Sequence, residues 1–293
     1  MVKRQESREK ENGLRSIEDN SAKTFVVTGV TSGIGLALAI ALADAAERLV
    51  VVGRHEARLR AATEIVGNAG RKVEITPILA DHETLEGTRL LAEQLDRLPR
   101  IDALIHNAGI LPAQHRLTAD GFEESFATNH LAPFVLNRRL KERLVASTPS
   151  RVVQVSAGLA LGASVDLEGD PHGARFEPVS TYARTKLWNL LATLAFAAEL
   201  QGSGVTVNAV HPGVVRTRLG EGAPGVPSAE ARRGWLSPEE GARGPLHLAT
   251  APAVARTTGR FFDQTRETAV HFPPEMANAV VQRTLEALGH PPG

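Results

Sequence analysis

Residues 24–35 read Thr24-Phe25-Val26-Val27-Thr28-Gly29-Val30-Thr31-Ser32-Gly33-Ile34-Gly35. Thr24–Val27 is a short β-branched and aromatic run, and it predicts a strand. From Ile34 to Ala46 the chain turns Ala/Leu-rich and predicts a helix. The loop Thr28–Gly35 joins the two. Gly29 permits a tight turn, Gly33 lets the backbone approach a pyrophosphate, and Gly35 lets the helix pack close. The N–H groups of Thr31, Ser32, Gly33 and Ile34 and the Ser32 hydroxyl can take a diphosphate at the helix start. A glycine pattern alone is weak; the strand before it and the helix after it give it weight. The competing reading is an ordinary Gly-rich turn.

Outward from this loop the pattern repeats. Strand-like runs fall at Leu49–Val52, Val73–Leu79, Ala103–Ile105, Val152–Val155 and Val205–Val210. Helical stretches such as His82–Leu98 and Tyr182–Leu200 lie between them. Several strands are apolar on both faces, which predicts a parallel sheet covered by helices. The fold class expected is α/β, a single Rossmann-type doubly wound sheet over residues 21–293. Residues 1–20 are rich in both charge signs and predict a disordered tail. Residues 218–236, rich in Gly, Pro and Arg, read as a substrate loop. Arg216 just before it and Arg218, Arg232 and Arg233 within it are expected in solvent, with contact to an anionic substrate the competing reading.

Composition narrows the classes. Of 293 residues, 42% are hydrophobic and 23% charged, and formal net charge is zero. That argues against a nucleic-acid or anionic-membrane partner. There is no cysteine, which removes disulfides, thiolate metal sites and cysteine nucleophiles. No metal site is expected. Ile34–Ala43 and Leu187–Ala198 are too short or too polar to span a bilayer, so a cytoplasmic protein is expected.

The second strand ends Val52-Gly53-Arg54. An acid near this point binds the ribose hydroxyl in NAD-selective sites, whereas arginine suits a 2′-phosphate. Arg54 therefore points to NADP(H), and Glu56 leaves NAD(H) as the alternative.

Further markers follow in order. They are Asp81, Asn107-Ala108-Gly109, Asn129, Tyr182 with Lys186 four residues on, and Pro212-Gly213 before Val215 and Thr217. With the glycine loop, they make residues 24–263 resemble the short-chain dehydrogenase/reductase family. Asp120-Gly121-Phe122-Glu123, Asp166-Leu167 and Ser237-Pro238-Glu239-Glu240-Gly241-Ala242 resemble its retinol dehydrogenase-like branch. The resemblance implies an oxidoreductase passing hydride between a nicotinamide and a carbonyl or alcohol. It implies Tyr182 as proton donor or acceptor, Lys186 as the group that lowers the phenol pKa and holds the ribose, and Asn129 as positioner of a relay water. It implies Asp81 at the adenine edge, Asn107, Ala108 and Gly109 in the cofactor cleft, and Thr217 near the carboxamide or phosphate. It also implies a small-molecule substrate and a homodimer or homotetramer.

One marker departs. The family places a catalytic serine at the end of the fifth strand, commonly second in a Ser-Ser pair. Here the residues are Ser156-Ala157. Ala157 takes the catalytic place, and neighbouring strand side chains face opposite ways. Ser156 serves only if the strand end bulges or kinks. Three readings stay open: carbonyl/alcohol redox with Ser156 or a water substituting, chemistry on an imine, enone or rearranging substrate, and a catalytically weak cofactor-binding regulator.

Overall fold

The computed structural model describes residues 23–69 and 73–289. In it Thr24–Thr28 forms β1, buried at every position. Gly33–Leu42 (α1), Arg48–Gly53 (β2), Glu56–Asn68 (α2), Glu74–Leu79 (β3), Leu85–Asp96 (α3) and Ala103–His106 (β4) follow. After a π-helical turn, Ala127–Leu131, come Ala132–Arg139 (α4), Lys141–Ala146 (α5), Ser150–Val155 (β5), Pro178–Glu199 (α6) and Val205–His211 (β6). Pro238–Thr250 (α7), Phe261–Asp263 (β7), Arg266–Thr268 (β8) and Pro274–Ala287 (α8) complete the described elements. The tail expected at residues 1–20 lies outside the described residues.

The strands form one sheet in the order β3-β2-β1-β4-β5-β6-β7-β8. All neighbours are parallel except β7 and β8. Strand order reverses between β1 and β4, and a doubly wound sheet opens its ligand crevice at the carboxyl ends there. Side chains alternate across the sheet. Phe25, Val27, Val51, Ile105 and Val153 pack against Leu38 and Leu42 of α1 and Leu248 of α7. Val26, Val50, Leu104 and Val152 pack against Leu91 and Leu95 of α3, Leu136 of α4 and Phe196 of α6. Each such fully buried side chain contributes about 1.5–3 kcal/mol relative to exposure, which is why these strands carry no polar face.

Element boundaries shift for local reasons. The helix expected from Tyr182 begins a turn earlier, because Pro178 presets its first φ and Glu177 caps Ser180 N. The helix expected from His82 begins at Leu85, where Thr84 accepts from Gly87 N. Arg218–Trp235 contains no helix or strand. Helix α7 starts with a capping box between Ser237 and Glu240.

Three histidines are buried in this body. Desolvation lowers His82 and His106 to about 4 and His130 to about 3, from an ordinary value of 6.5. All three stay neutral in the fold at pH 5, while the unfolded chain protonates them below about 6.5. The unfolded state then binds more protons, so stability falls as pH drops from 6.5 towards 4. With three groups the slope approaches about 4 kcal/mol per pH unit near pH 5. Urea midpoints measured across that range should fall accordingly, and His82→Leu should remove about a third of the slope. A flat profile between pH 6.5 and 4.5 contradicts this burial.

Candidate active site

The phosphate loop shows the geometry its glycines imply. Gly29 and Gly33 have φ of 74° and 57°, the left-handed region that glycine tolerates. A Cβ on Gly35 would lie 2.1 Å from the Gly29 carbonyl oxygen and 2.4 Å from Asn107 Nδ2. The close approach is therefore of helix α1 to the loop and to the end of β4. Ser32 precedes the helix and makes no side-chain cap bond. Its hydroxyl and the first-turn N–H groups suit a bound anion.

The loop is locked from β4. Asn107 Nδ2 donates to the carbonyls of Thr28 (2.9 Å) and Gly29 (3.1 Å). The N–H groups of Asn107 and Ala108 donate to Thr28 Oγ1 at 3.1 and 3.0 Å. Asn107 is thus more than a turn residue: its side chain sets the distance between the two strand ends.

Tyr182 and Lys186 share one face of α6, and Lys186 Nζ lies 5.6 Å from the centre of the Tyr182 ring. Nζ donates to the Val155 carbonyl oxygen at 2.9 Å, which ties the lysine to the end of β5. Burial holds Lys186 down at about 8 and pushes Tyr182 above its ordinary value. A lowered phenol pKa was the expectation; in the fold as it stands, desolvation outweighs the ammonium. The phenol hydroxyl has no hydrogen-bond partner among the described residues.

Asn129 sits in the π turn Ala127–Leu131. Its Oδ1 accepts from Ile110 N at 2.8 Å, and its Nδ2 donates to Ile110 O and Thr185 Oγ1, both at 3.0 Å. Both amide hydrogens are engaged. A Cβ on Gly109 would stand 3.3 Å from both Asn129 Oδ1 and Lys186 Nζ. Glycine at 109 thus leaves room beside both groups.

The fifth strand decides between Ser156 and Ala157. The ladder from β5 to β6 stays regular through Val155 and Val210, and Ser156 N donates to Val210 O at 2.8 Å. No bulge or kink intervenes. The Ser156 hydroxyl is buried and donates to the Lys186 carbonyl at 3.1 Å. The Ser156 hydroxyl is thus engaged by the α6 backbone, and a catalytic part for it requires that bond to give way. Ala157 follows with an extended backbone at φ −150°.

One cleft of 680 Å³ gathers these parts. Gly29, Thr31, Ser32, Gly33, Ile34, Gly35, Arg54, Asp81, Asn107, Ala108 and Gly109 line it. So do Ser156, Ala157, Tyr182, Lys186, Pro212, Gly213, Val215 and Thr217. Asn129 does not, and stands behind Gly109. Asp81 accepts from Glu83 N at 3.0 Å. Thr217 lies over the phosphate loop, its Cγ2 3.1 Å from where a Gly33 Cβ would be.

Several cleft residues escaped the sequence reading. His55 and Arg58 join Arg54 at the end of β2, and His211 ends β6. Arg58 is one helical turn from Arg54, a spacing that could have been noticed. Arg232 reverses an expectation: it is 4% exposed rather than solvated. Its guanidinium donates to the carbonyls of Pro227 (2.7 Å), Thr217 (2.8 Å) and Leu219 (3.4 Å), fastening the 218–236 loop to the body.

A Rossmann sheet with a glycine-rich phosphate loop and a Tyr-Lys helix beside it defines a class, and the chain belongs to it. This protein is a member of the short-chain dehydrogenase family, whose model matches residues 23–224. Within the family it falls in the retinol dehydrogenase-like branch. It is 34% identical over 275 residues to human retinol dehydrogenase 13, covering 90% of this chain and 82% of that one. It is 37% identical over 256 residues to a Streptomyces protein provisionally named a daunorubicin C-13 ketoreductase, covering 86% of each. Among solved structures, a short-chain dehydrogenase from Sphingobium yanoikuyae in complex with NADPH matches with a TM-score of 0.63 and 26% identity, over 76% of this chain and 83% of that one. The family makes the chain an oxidoreductase that uses a nicotinamide cofactor. No helix among the described residues is long and apolar enough to cross a membrane.

Proposed function

We propose that the chain is an NADP(H)-dependent oxidoreductase that interconverts an apolar carbonyl compound and its alcohol. The observation that carries this is the single cleft in which the phosphate loop, Arg54, Tyr182 and Lys186 all meet. The donor set fits the cofactor. Two glycines of left-handed φ and an uncapped helix start suit the diphosphate. Arg54 and Arg58 gather positive charge, with the His55 imidazole beside them, where a 2′-phosphate would lie. The bound nicotinamide supplies or accepts the hydride.

The chain's own groups do the rest. Tyr182 holds the proton that passes to the substrate oxygen in reduction and returns in oxidation. Lys186, protonated at neutral pH and anchored on Val155 O, favours the phenolate and faces the ribose side. Asn129 acts by fixing Ile110 and Thr185 in place. Ile110, Leu111, Pro112 and Leu219 give the far wall an apolar surface, which favours an apolar substrate.

Ala157 supports a second reading. Without a hydroxyl at that place, a substrate that carries its own activation, such as an imine or an enone, needs less from the protein. A panel separates the two. Aldehydes, ketones, imines and enones are mixed with enzyme and NADPH or NADH, and loss of nicotinamide absorbance is followed. We expect turnover of apolar aldehydes and ketones, with NADPH favoured by about tenfold in kcat/KM. Turnover confined to imines or enones favours the second reading. Tight NADPH binding with no turnover on any class sinks both.

A further inference from the structure

The acid missing from the end of β2 stands one loop further on. Glu83 follows Asp81 and His82 in the turn before α3, and its N–H is held by Asp81 Oδ1. Its carboxylate bridges two guanidinium groups. Oε1 accepts from Arg54 Nη1, and Oε2 accepts from Arg116 Nη2 at 2.7 Å. Arg116 is itself held by Glu124. Both carboxylates of this chain of charges are buried, the Glu83 side chain 14% and that of Glu124 10% exposed, against 39% for Arg54 and 53% for Arg116.

We propose that Glu83 sets the cofactor choice by neutralising Arg54. The inference rests on the reading that Arg54 faces a 2′-phosphate. Arg54 does not present a free positive charge: its nearest partner is a fixed anion. Arg116 and the turn at Asp81 keep Glu83 from swinging away when a second anion arrives. A 2′-phosphate, carrying close to two negative charges, then meets a guanidinium whose field is already largely cancelled. A dinucleotide with a free 2′-hydroxyl suffers no such repulsion. Arg58 remains as the second guanidinium, with no carboxylate partner among the described residues. The sequence departs towards NADP(H) at Arg54 and is drawn back by Glu83, so the wild-type preference for NADPH is smaller than Arg54 and Arg58 alone would give.

The test uses the full chain and Glu83→Gln, which keeps the side chain's shape and removes its charge. NADPH and NADH are titrated into each by calorimetry at low and high salt, and a thermal melt checks the fold. We expect NADPH to bind about tenfold more tightly to the variant, an effect that shrinks at high salt, while NADH changes less than about twofold. Equal changes for both dinucleotides, or weaker NADPH binding, overturn the proposal. Arg54→Ala keeps the two readings apart. If it costs NADPH affinity while Glu83→Gln leaves NADPH binding unchanged, the cofactor reading stands and the role of Glu83 fails. If Arg54→Ala leaves NADPH affinity unchanged, both fail. If Glu83→Gln fails to fold, Glu83→Ala and Arg116→Met, each loosening the bridge, are read by the same ratio: Glu83→Ala must raise it in favour of NADPH.

Discussion

Tyr182→Phe should lower kcat by about 10²–10⁴-fold, the usual contribution of a positioned proton donor or acceptor. The substitution is unusually clean here. The phenol oxygen has no hydrogen-bond partner in the protein among the described residues, so its removal orphans nothing. The ring stays in the same buried slot on α6 beside Lys186. NADPH affinity and thermal stability should therefore change little while single-turnover hydride transfer collapses. A variant that retains a tenth or more of wild-type turnover would show that protons reach the substrate by another route.

The second large effect runs the other way. Ala157→Ser should raise kcat on simple ketones by about 10²–10³-fold, since one preorganised donor to a developing oxyanion contributes about 2.7–4 kcal/mol. The backbone at 157 is extended, which any residue adopts, and the methyl already borders the cleft. The added hydroxyl meets no positional strain. Ser156→Ala is the counterpart. It breaks only the bond to the Lys186 carbonyl, so its effect on rate should be far smaller. A large loss in Ser156→Ala with no gain in Ala157→Ser would return the catalytic role to Ser156.

Much of this arrangement is legible in the chain because it is local. The loop Thr28–Gly35 needs its glycines at fixed places, and a strand apolar on both faces has nowhere to sit but inside a parallel sheet. The order Ser156-Ala157 is likewise legible as two side chains turned opposite ways, although both border the cleft in the fold. What the chain hid is non-local. Phe261–Asp263 and Arg266–Thr268 are three-residue strands, too short for any period to show. Arg232 lies in a polar loop whose composition suggests solvent, and only the fold reveals the three carbonyls that enclose it. The Tyr182 pKa is similar: the Tyr-Lys spacing is visible, but the degree of desolvation is a property of the packed body.

The fastening by Arg232 has a bearing on how such a protein changes over time. Its three acceptors are main-chain carbonyls, at Thr217, Leu219 and Pro227, so the grip does not depend on which side chains those positions carry. Most positions between 218 and 231 can vary while the loop keeps its attachment. On the proposed function this loop is the wall that meets the substrate, so that wall is free to drift in sequence and to take new substrates without disturbing the machinery that moves hydride and proton.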